Sequence, residues 1–181
     1  MPTSKTPTPF GWRYYGQERP AFAIPPGPGQ ESVWDYPRPP RIEADTREII
    51  VSAQGTEIAR TTRAVRVLET ASPPTFYLPL TDVTHGALIP GSGSSTCEWK
   101  GNARYWSVRT THGVMAHAAW MYPDPYPAFR ELREHVSFYP GQLHCTVGGE
   151  QVRRQPGSFY GGWLTPDIVG PVKGTPDTSW W

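Results

Sequence analysis

The densest group of polar residues in the sequence is the segment Gly91–Gly101, in which three serines and a threonine precede Cys97 and Lys100. In a loop of this composition, backbone amides can turn inward and bind an anion, and a lysine adds positive charge. A lysine beside a thiol also favours the thiolate, which is the reactive form of cysteine. We therefore predict a loop in which Lys100 holds a carboxylate or phosphate, Ser95 and Thr96 contact the ligand, and Cys97 is a candidate nucleophile. The alternative is a surface loop with an inert, buried Cys97.

Glu69 is a second candidate for proton chemistry. It follows an apolar run, so its carboxylate would lie at a strand end close to the core, where a raised pKa suits a general base. More often, a carboxylate in such a place caps a turn or pairs with an arginine, and Arg63 and Arg66 are near in the sequence. Both interpretations stay open at this point.

Four aromatic residues on predicted strands are candidates for the remaining walls of a pocket. The hydroxyl of Tyr77 or Tyr105 can hydrogen-bond a ligand or donate a proton, although a half-buried core position is the commoner role of tyrosine. Trp106 and Trp120 are expected to line the pocket or to pack in the core.

The histidines and cysteines do not have the spacing of a metal site. Structural zinc needs four ligands, typically in close pairs. His144 and Cys145 are adjacent, and His112 and His117 are five residues apart. On regular strands the members of each pair would face opposite ways. We therefore predict neither a metal nor a cofactor.

Charge and hydropathy argue against several classes of partner. The chain has 181 residues and a formal net charge of +1, which provides no electrostatic attraction to nucleic acid or to an anionic membrane. No apolar run approaches the roughly 20 residues that span a bilayer. Residues 1–10 are polar and lack the apolar segment of a secretory signal. We therefore expect a cytoplasmic protein, in which Cys97 and Cys145 would be free thiols.

The composition predicts a folded chain with many turns. There are 22 prolines and 18 glycines, but also 8 Trp, 9 Tyr and 6 Phe, and disordered chains are poor in aromatic residues. We predict an extended N-terminal arm over residues 1–41, a domain over 42–155 and an extended tail over 156–181. Both arms are too aromatic to be free linkers, so we expect Trp34 and Tyr36 to pack on the domain or on a second copy in a homodimer.

Short alternating runs bounded by Gly and Pro predict a mainly antiparallel β domain with one short helix. Gly86–Ser95 is predicted to be a loop, and Tyr126–Val136 a helix, because Phe129, Leu132 and Val136 form one stripe. Arg63–Glu69 is predicted to be a strand, with a helical turn as the alternative. The other predicted strands are Glu48–Ser52, Glu57–Thr61, Phe76–Leu78, Arg104–Thr110, Val114–Trp120, Ser137–Tyr139, Leu143–Val147 and Glu150–Arg153.

Several motifs in one order resemble the family catalogued as domain of unknown function 427, sometimes labelled nucleotidyltransferase-like. The motifs are Arg63–Thr70, Pro73–Pro79 with Asp82-Val83, Thr96–Trp106, Ala118–Pro125 and Phe138-Tyr139. The resemblance covers about Arg41 to Val152 and implies a small, mostly antiparallel β-tent fold, also found in zinc-bearing domains and in methionine sulfoxide reductases of the B type. It implies no shared reaction. By motif position, Glu69, Tyr77, Cys97, Lys100 and Tyr105 carry over as candidate site residues.

Three functions remain as hypotheses. The first is a metal-independent enzyme that acts by acid–base chemistry on a small, anionic organic molecule, with Glu69 or Tyr105 moving protons and Lys100 holding the anion. The second is a non-catalytic binding or assembly module that uses the aromatic arms. The third is a thiol redox protein that uses Cys97 and Cys145.

Overall fold

Antiparallel strands dominate the structure, a computed structural model that describes residues 11–181. The strands are β1 Glu31–Ser32, β2 Arg41–Asp45, β3 Ile49–Ala53, β4 Thr56–Thr61, β5 Ala64–Leu68, β6 Thr75–Pro79, β7 Leu88–Cys97, β8 Gly101–Thr110, β9 Gly113–Met121, β10 His135–Phe138, β11 His144–Val147, β12 Glu150–Gln151, β13 Arg153–Arg154, β14 Trp163–Leu164 and β15 Ile168–Val169. Short 3₁₀ helices span Val33–Asp35, Leu80–Asp82, Pro127–Leu132 and Pro176–Thr178. The mainly β prediction is confirmed, and Arg63–Glu69 contains a strand rather than a helical turn. No helix in residues 11–181 has the length and apolar character needed to cross a bilayer.

Two antiparallel sheets enclose the main core. The larger has the strand order β2-β5-β6-β10-β9-β8-β7, and the smaller has the order β12-β11-β3-β4. Alternation along β3 explains the packing, because Ile49 and Val51 are buried while the intervening Ile50 is half-exposed. Phe76 and Leu78 of β6 meet them from the larger sheet.

The other face of the larger sheet carries a second apolar cluster, here called the site-face cluster. On β6, Tyr77 points to this face, between Phe76 and Leu78 on the core face. Every residue of β5 is buried, which is typical of a strand covered on both faces. The cover on this side comes from segments outside the sheets, and these segments close the candidate site.

The two arms, residues 11–40 and 156–181, pack on the domain and on each other. β1 pairs in parallel with β15, and Trp34 and Tyr36 are buried, as predicted. The Trp34 indole donates a hydrogen bond to the carbonyl oxygen of Pro171 across 3.0 Å. The homodimer through the arms stays a prediction, as do the domain boundaries. Residues 1–10 of the predicted arm lie outside the described residues.

The predicted helix Tyr126–Val136 is wrong in extent. A 3₁₀ helix covers only Pro127–Leu132, and β10 begins at His135, after Glu134 with a φ of +62°. The apolar stripe has another cause: Phe129 and Leu132 belong to the site-face cluster, whereas Val136 belongs to the main core. Apolar side chains from two different packing environments therefore have the spacing of a single helical face.

The predicted loop Gly86–Ser95 is also wrong, because β7 runs from Leu88 to Cys97 and pairs with β8. Its glycines serve close backbone packing: a Cβ on Gly91 would lie 2.9 Å from the carbonyl oxygen of Tyr105. The register shifts between Pro90 and Ser94, beside Gly93, which has a φ of +87°. The segment is therefore an exposed, irregular strand, and its backbone does not form the anion-binding loop that its composition predicts.

Candidate functional site

A cavity of about 200 Å³ lies between the site-face cluster and the two arms. We call it the inner cavity. All but one of the predicted site residues line it: Glu69, Tyr77, Ser95, Thr96, Cys97, Lys100, Tyr105 and Trp120. The exception is Trp106, which packs against the main core.

Strand alternation explains both the convergence and the exception. Tyr105 of β8 is paired directly with Trp120 of β9, so their side chains share one face of the larger sheet. Tyr77 reaches the same face from β6, and its ring lies 6.3 Å from that of Trp120. Trp106 follows Tyr105 on the strand and therefore points to the opposite face. Its predicted place in the pocket is wrong for that reason.

Lys100 lies in the tight turn between β7 and β8. Its carbonyl oxygen accepts a hydrogen bond from the Tyr126 amide across 3.0 Å, which fixes the turn. Its ammonium lies 5.8 Å from the centre of the Tyr122 ring. Burial alone would lower the pKa of Lys100, but the groups around it, the Glu69 carboxylate among them, raise the pKa above its ordinary value. Lys100 is therefore a stable cation within the cavity.

Buried tyrosines supply neutral hydroxyl groups around this cation. Burial raises the pKa of Tyr77, Tyr122 and Tyr139 above the ordinary value, so all three stay protonated at neutral pH. A protonated phenol can donate a hydrogen bond to a ligand oxygen. Tyr122 is expected from the sequence, like Trp120, to line the pocket or to pack in the core, whereas Tyr139 is not among the residues that the sequence suggests.

Glu69 lines the cavity and is held by Arg38, rather than by Arg63 or Arg66, which are its near neighbours in the sequence. Arg38 of the N-terminal arm approaches the Glu69 Oε1 atom to 3.1 Å, and its side chain is fully buried. Arg38 also donates to the carbonyl oxygens of Tyr14 and Thr70 and lies 4.1 Å from the centre of the Trp12 ring. Within residues 11–181, the Glu69 Oε2 atom accepts no hydrogen bond, so it is open to a ligand.

Lys173 of the tail is the main residue that sequence reasoning missed. It lines the cavity, is only 5% exposed, and its ammonium lies 4.9 Å from the centre of the Tyr160 ring. Burial lowers the pKa of Lys173, and the charges of Arg38 and Lys100 lower it further, against the opposing effect of Glu69. One feature of the sequence could have revealed it: there are three lysines, and Lys100 and Lys173 are two of them.

The residues from Arg41 to Gly149 match the model of a family described as Domain of unknown function (DUF427). The chain belongs to this family. No curated protein matches the chain significantly. The DUF427 match includes Glu69, Cys97 and Lys100 but excludes Arg38 and Lys173, which come from the arms. The DUF427 region thus supplies the floor of the cavity. The arms supply its cover, the Lys173 amine and the Arg38 guanidinium that binds Glu69.

A second, outer cavity of about 320 Å³ adjoins the first. Tyr105, Tyr139, Phe159 and Tyr160 line both cavities and form the wall between them. The outer cavity also contains Arg154 and His117, and the imidazole of His117 is stacked on Tyr105 with ring centres 5.4 Å apart. Phe159 is 64% exposed, so this wall is the part of the site most open to solvent.

The two thiols occupy different environments. Cys97 contacts the site-face cluster, whereas Cys145 is buried in the main core, and both are free. Burial raises the pKa of Cys145, which keeps it protonated and unreactive. The thiol redox hypothesis stays a prediction that would depend on Cys97 alone. In residues 11–181, no three side chains of the types His, Cys, Asp and Glu lie close enough together to hold a metal ion.

Proposed function

We propose that this protein binds a small organic anion with a flat, apolar body in the inner cavity and acts on it by acid–base catalysis. The observation that carries the proposal is the convergence of Lys100, Lys173 and Glu69 on one aromatic-lined cavity. A small-molecule site is typically an apolar pocket with a few polar groups that converge, and this cavity has that character.

The charges around the cavity favour an anion. Lys100 and Lys173 line it directly. Of the two carboxylates in its lining among residues 11–181, Glu69 is paired with Arg38 and Glu98 is exposed to solvent. A carboxylate in the cavity would therefore gain a charge-assisted hydrogen bond from Lys100. Trp120, Tyr77 and Tyr139 would pack against the body of the ligand.

Glu69 has the geometry of a group that moves a proton. Glu69 lines the cavity, Arg38 anchors its Oε1 atom, and no hydrogen bond from residues 11–181 reaches its Oε2 atom. An anchored carboxylate with one open oxygen can accept a proton from a bound molecule and return it. The neutral tyrosines would stabilise negative charge that develops on a ligand oxygen during this transfer.

Calorimetric titration with benzoate and benzamide tests the binding step. The two probes have the same shape and differ in charge, so we expect benzoate to bind roughly tenfold or more tightly because of its charge-assisted hydrogen bond. Lys100→Met should remove this preference and leave benzamide binding unchanged. Equal affinity for the two probes in the wild-type protein, or no binding of either, would contradict the proposal.

Proton exchange tests the catalytic step. In deuterated buffer, we expect the protein to accelerate exchange of the methylene protons of phenylpyruvate, followed by NMR. Glu69→Gln should slow the catalysed exchange by about a hundredfold, the typical contribution of a general base. Thermal unfolding of each variant serves as the folding control. Catalysed exchange that survives Glu69→Gln in full would show that Glu69 is not the base.

A further inference from the structure

Lys173 lines the same cavity as Lys100 but reaches it from the tail. Its ammonium faces aromatic rings, 5.3 Å from the centre of Trp12 and 4.9 Å from that of Tyr160. Within residues 11–181, it has no carboxylate within ion-pair distance. An ammonium that is buried among rings and lacks a carboxylate partner loses relatively little when it gives up its proton.

The backbone holds Lys173 firmly at this position. Its amide donates to the carbonyl oxygen of Ala71 across 2.8 Å, and its carbonyl accepts from the Gln155 side chain across 2.7 Å. The next residue, Gly174, packs so closely that a Cβ there would lie 2.0 Å from the carbonyl oxygen of Pro156. A side chain anchored in this way can present its amine to a bound molecule in a defined direction.

Burial favours the neutral form of the Lys173 amine, and the charged groups around it act in both directions. Burial lowers the pKa of Lys173, and the nearby cations Arg38 and Lys100 act in the same direction. Glu69 and Glu98 oppose the shift, but the pKa remains below the ordinary lysine value. A lysine that is desolvated and placed beside other cations is a recognised arrangement for amine nucleophiles.

We propose that the ε-amine of Lys173 condenses with the carbonyl carbon of a small aldehyde or 2-oxo acid to form an imine. The proposal rests on the proposed function in one respect, because the carboxylate of the same molecule would be held by Lys100. It adds the carbonyl group to the description of the substrate and assigns a covalent role to a residue that lies outside the DUF427 match.

The step balances without an external oxidant or reductant. The nitrogen lone pair forms a bond to the carbonyl carbon, and the electron pair of the C=O π bond moves to oxygen, which takes up a proton. The nitrogen loses its two hydrogens as protons, and the hydroxyl group takes up a second proton. The C–O bond then breaks to release water, and the nitrogen lone pair forms the C=N bond. The sum is one amine and one carbonyl compound converted to one imine and one water. Glu69 is the carboxylate placed to accept and return these protons.

Reductive trapping tests the proposal on the full chain. The protein is incubated with para-carboxybenzaldehyde and cyanoborohydride, which reduces an imine to a stable secondary amine, and the modified lysine is located by peptide mass spectrometry. Lys5, Lys100, Lys173 and the N-terminal amine are the amines that can react. We expect Lys173 to be labelled about tenfold or more faster than Lys5, and benzoate in excess to protect it. Labelling that is spread evenly over all the amines would overturn the proposal.

Matched probes and variants separate this proposal from the proposed function. Benzaldehyde lacks the carboxylate, so Lys100→Met should slow labelling by para-carboxybenzaldehyde much more than labelling by benzaldehyde, which senses only the loss of the Lys100 charge beside the amine. Lys173→Arg keeps the positive charge but cannot form the imine, and should abolish labelling at this site. If benzoate binds while Lys173 in the wild-type protein remains unlabelled, the imine proposal fails and the anion site stands. If Lys173 is labelled but benzoate does not protect it, the imine stands and the shared anion site fails.

Discussion

The DUF427 region, residues 41–149, and the two arms are stabilised in different ways. In the DUF427 region, β7, β8 and β9 pair along most of their length, and β3 buries alternate side chains in the main core. In the arms, the paired strands are two residues long, and the remaining contacts are individual hydrogen bonds and ring contacts. Phe22 stacked on Trp181, with ring centres 5.2 Å apart, is an example. A single side chain therefore carries more of the local stability in the arms than in the sheets.

This difference matters because the candidate site needs both regions. Glu69 directly follows β5, and Lys100 lies in the turn between β7 and β8, whereas Lys173 and Trp12 line the cavity from the arms. Arg38 of the N-terminal arm binds Glu69. The sheets define where the floor lies, and the arms determine how closed and how positively charged the cavity is. A change that loosens an arm should therefore alter the site while leaving the sheets folded.

Trp163 gives the strongest test, because it is a tail residue that packs inside the main core. Its indole is fully buried, lies 5.1 Å from the ring of Phe76 and donates to the carbonyl oxygen of Phe138 across 3.0 Å. Trp163→Ala removes this packing and leaves a cavity, so we expect it to lower the free energy of unfolding by about 4 kcal/mol in urea titrations. The matched control is Trp180→Ala, since Trp180 is 53% exposed and should have little effect. If Trp163→Ala lowered the free energy of unfolding no more than Trp180→Ala does, Trp163 would lie outside the core.

Arg38 should have the next largest effect. Its guanidinium is fully buried and binds Glu69, two arm carbonyls and the carbonyl oxygen of Thr70. Arg38→Met leaves these acceptors without a donor, and we expect a loss of about 3 kcal/mol in the free energy of unfolding. The matched control is Arg19→Met, which breaks an exposed ion pair with Asp35.

Arg19→Met should have the same midpoint in the urea titration as the wild-type protein, because exposed ion pairs contribute little to the free energy of unfolding. A wild-type midpoint for Arg38→Met as well would show that the arm is not held through this residue. In that case, the idea that single side chains carry the stability of the arms would be wrong.

The sequence predicted the floor of the site better than its cover, for a physical reason. Strand alternation places Tyr77, Tyr105 and Trp120 on one face, and a period of two can be recognised without a structure. Arg38 and Lys173 lie in segments without periodicity, and no local pattern shows that residues so far apart in the sequence come together at one site, where Arg38 binds Glu69 and Lys173 lines the same cavity as Glu69.

The errors arose where local composition conflicted with tertiary packing. Glycine and serine in Gly91–Ser95 predict a loop, but they allow an exposed strand to bulge and to approach the backbone of Tyr105. As an aromatic residue, Trp106 suggests a pocket wall. It follows Tyr105 on the strand, however, so its side chain must lie on the opposite face of the sheet from that of Tyr105. The strand alternation that correctly predicts the residues of the cavity floor also excludes Trp106 from that face.

The smallest expected effect on stability is that of replacing Asp45, which lies where the DUF427 region meets the tail. It lies on β2, and Arg47 binds both Asp45 across 2.6 Å and Asp167 of the tail across 3.1 Å. Burial alone would raise the pKa of Asp45, but hydrogen bonds from the side chain and backbone of Arg47 outweigh it and hold the pKa below its ordinary value. The carboxylate therefore stabilises the folded state at pH values above the ordinary aspartate pKa of about 4.

This contribution should disappear as the pH falls from about 4 through the lower pKa of the folded state, because protonation removes the charge that Arg47 binds. We expect Asp45→Asn to lower the free energy of unfolding by about 1 kcal/mol at neutral pH, and the difference from wild type to vanish in acid. Urea titrations at a series of pH values measure this difference. Asp124→Asn is the control, because Asp124 is exposed in its pair with Arg133 and should match wild type throughout. An Asp45→Asn deficit that persists unchanged into acid would mean that its cause is packing rather than charge. The link between the DUF427 region and the tail would then not depend on the Asp45–Arg47–Asp167 cluster.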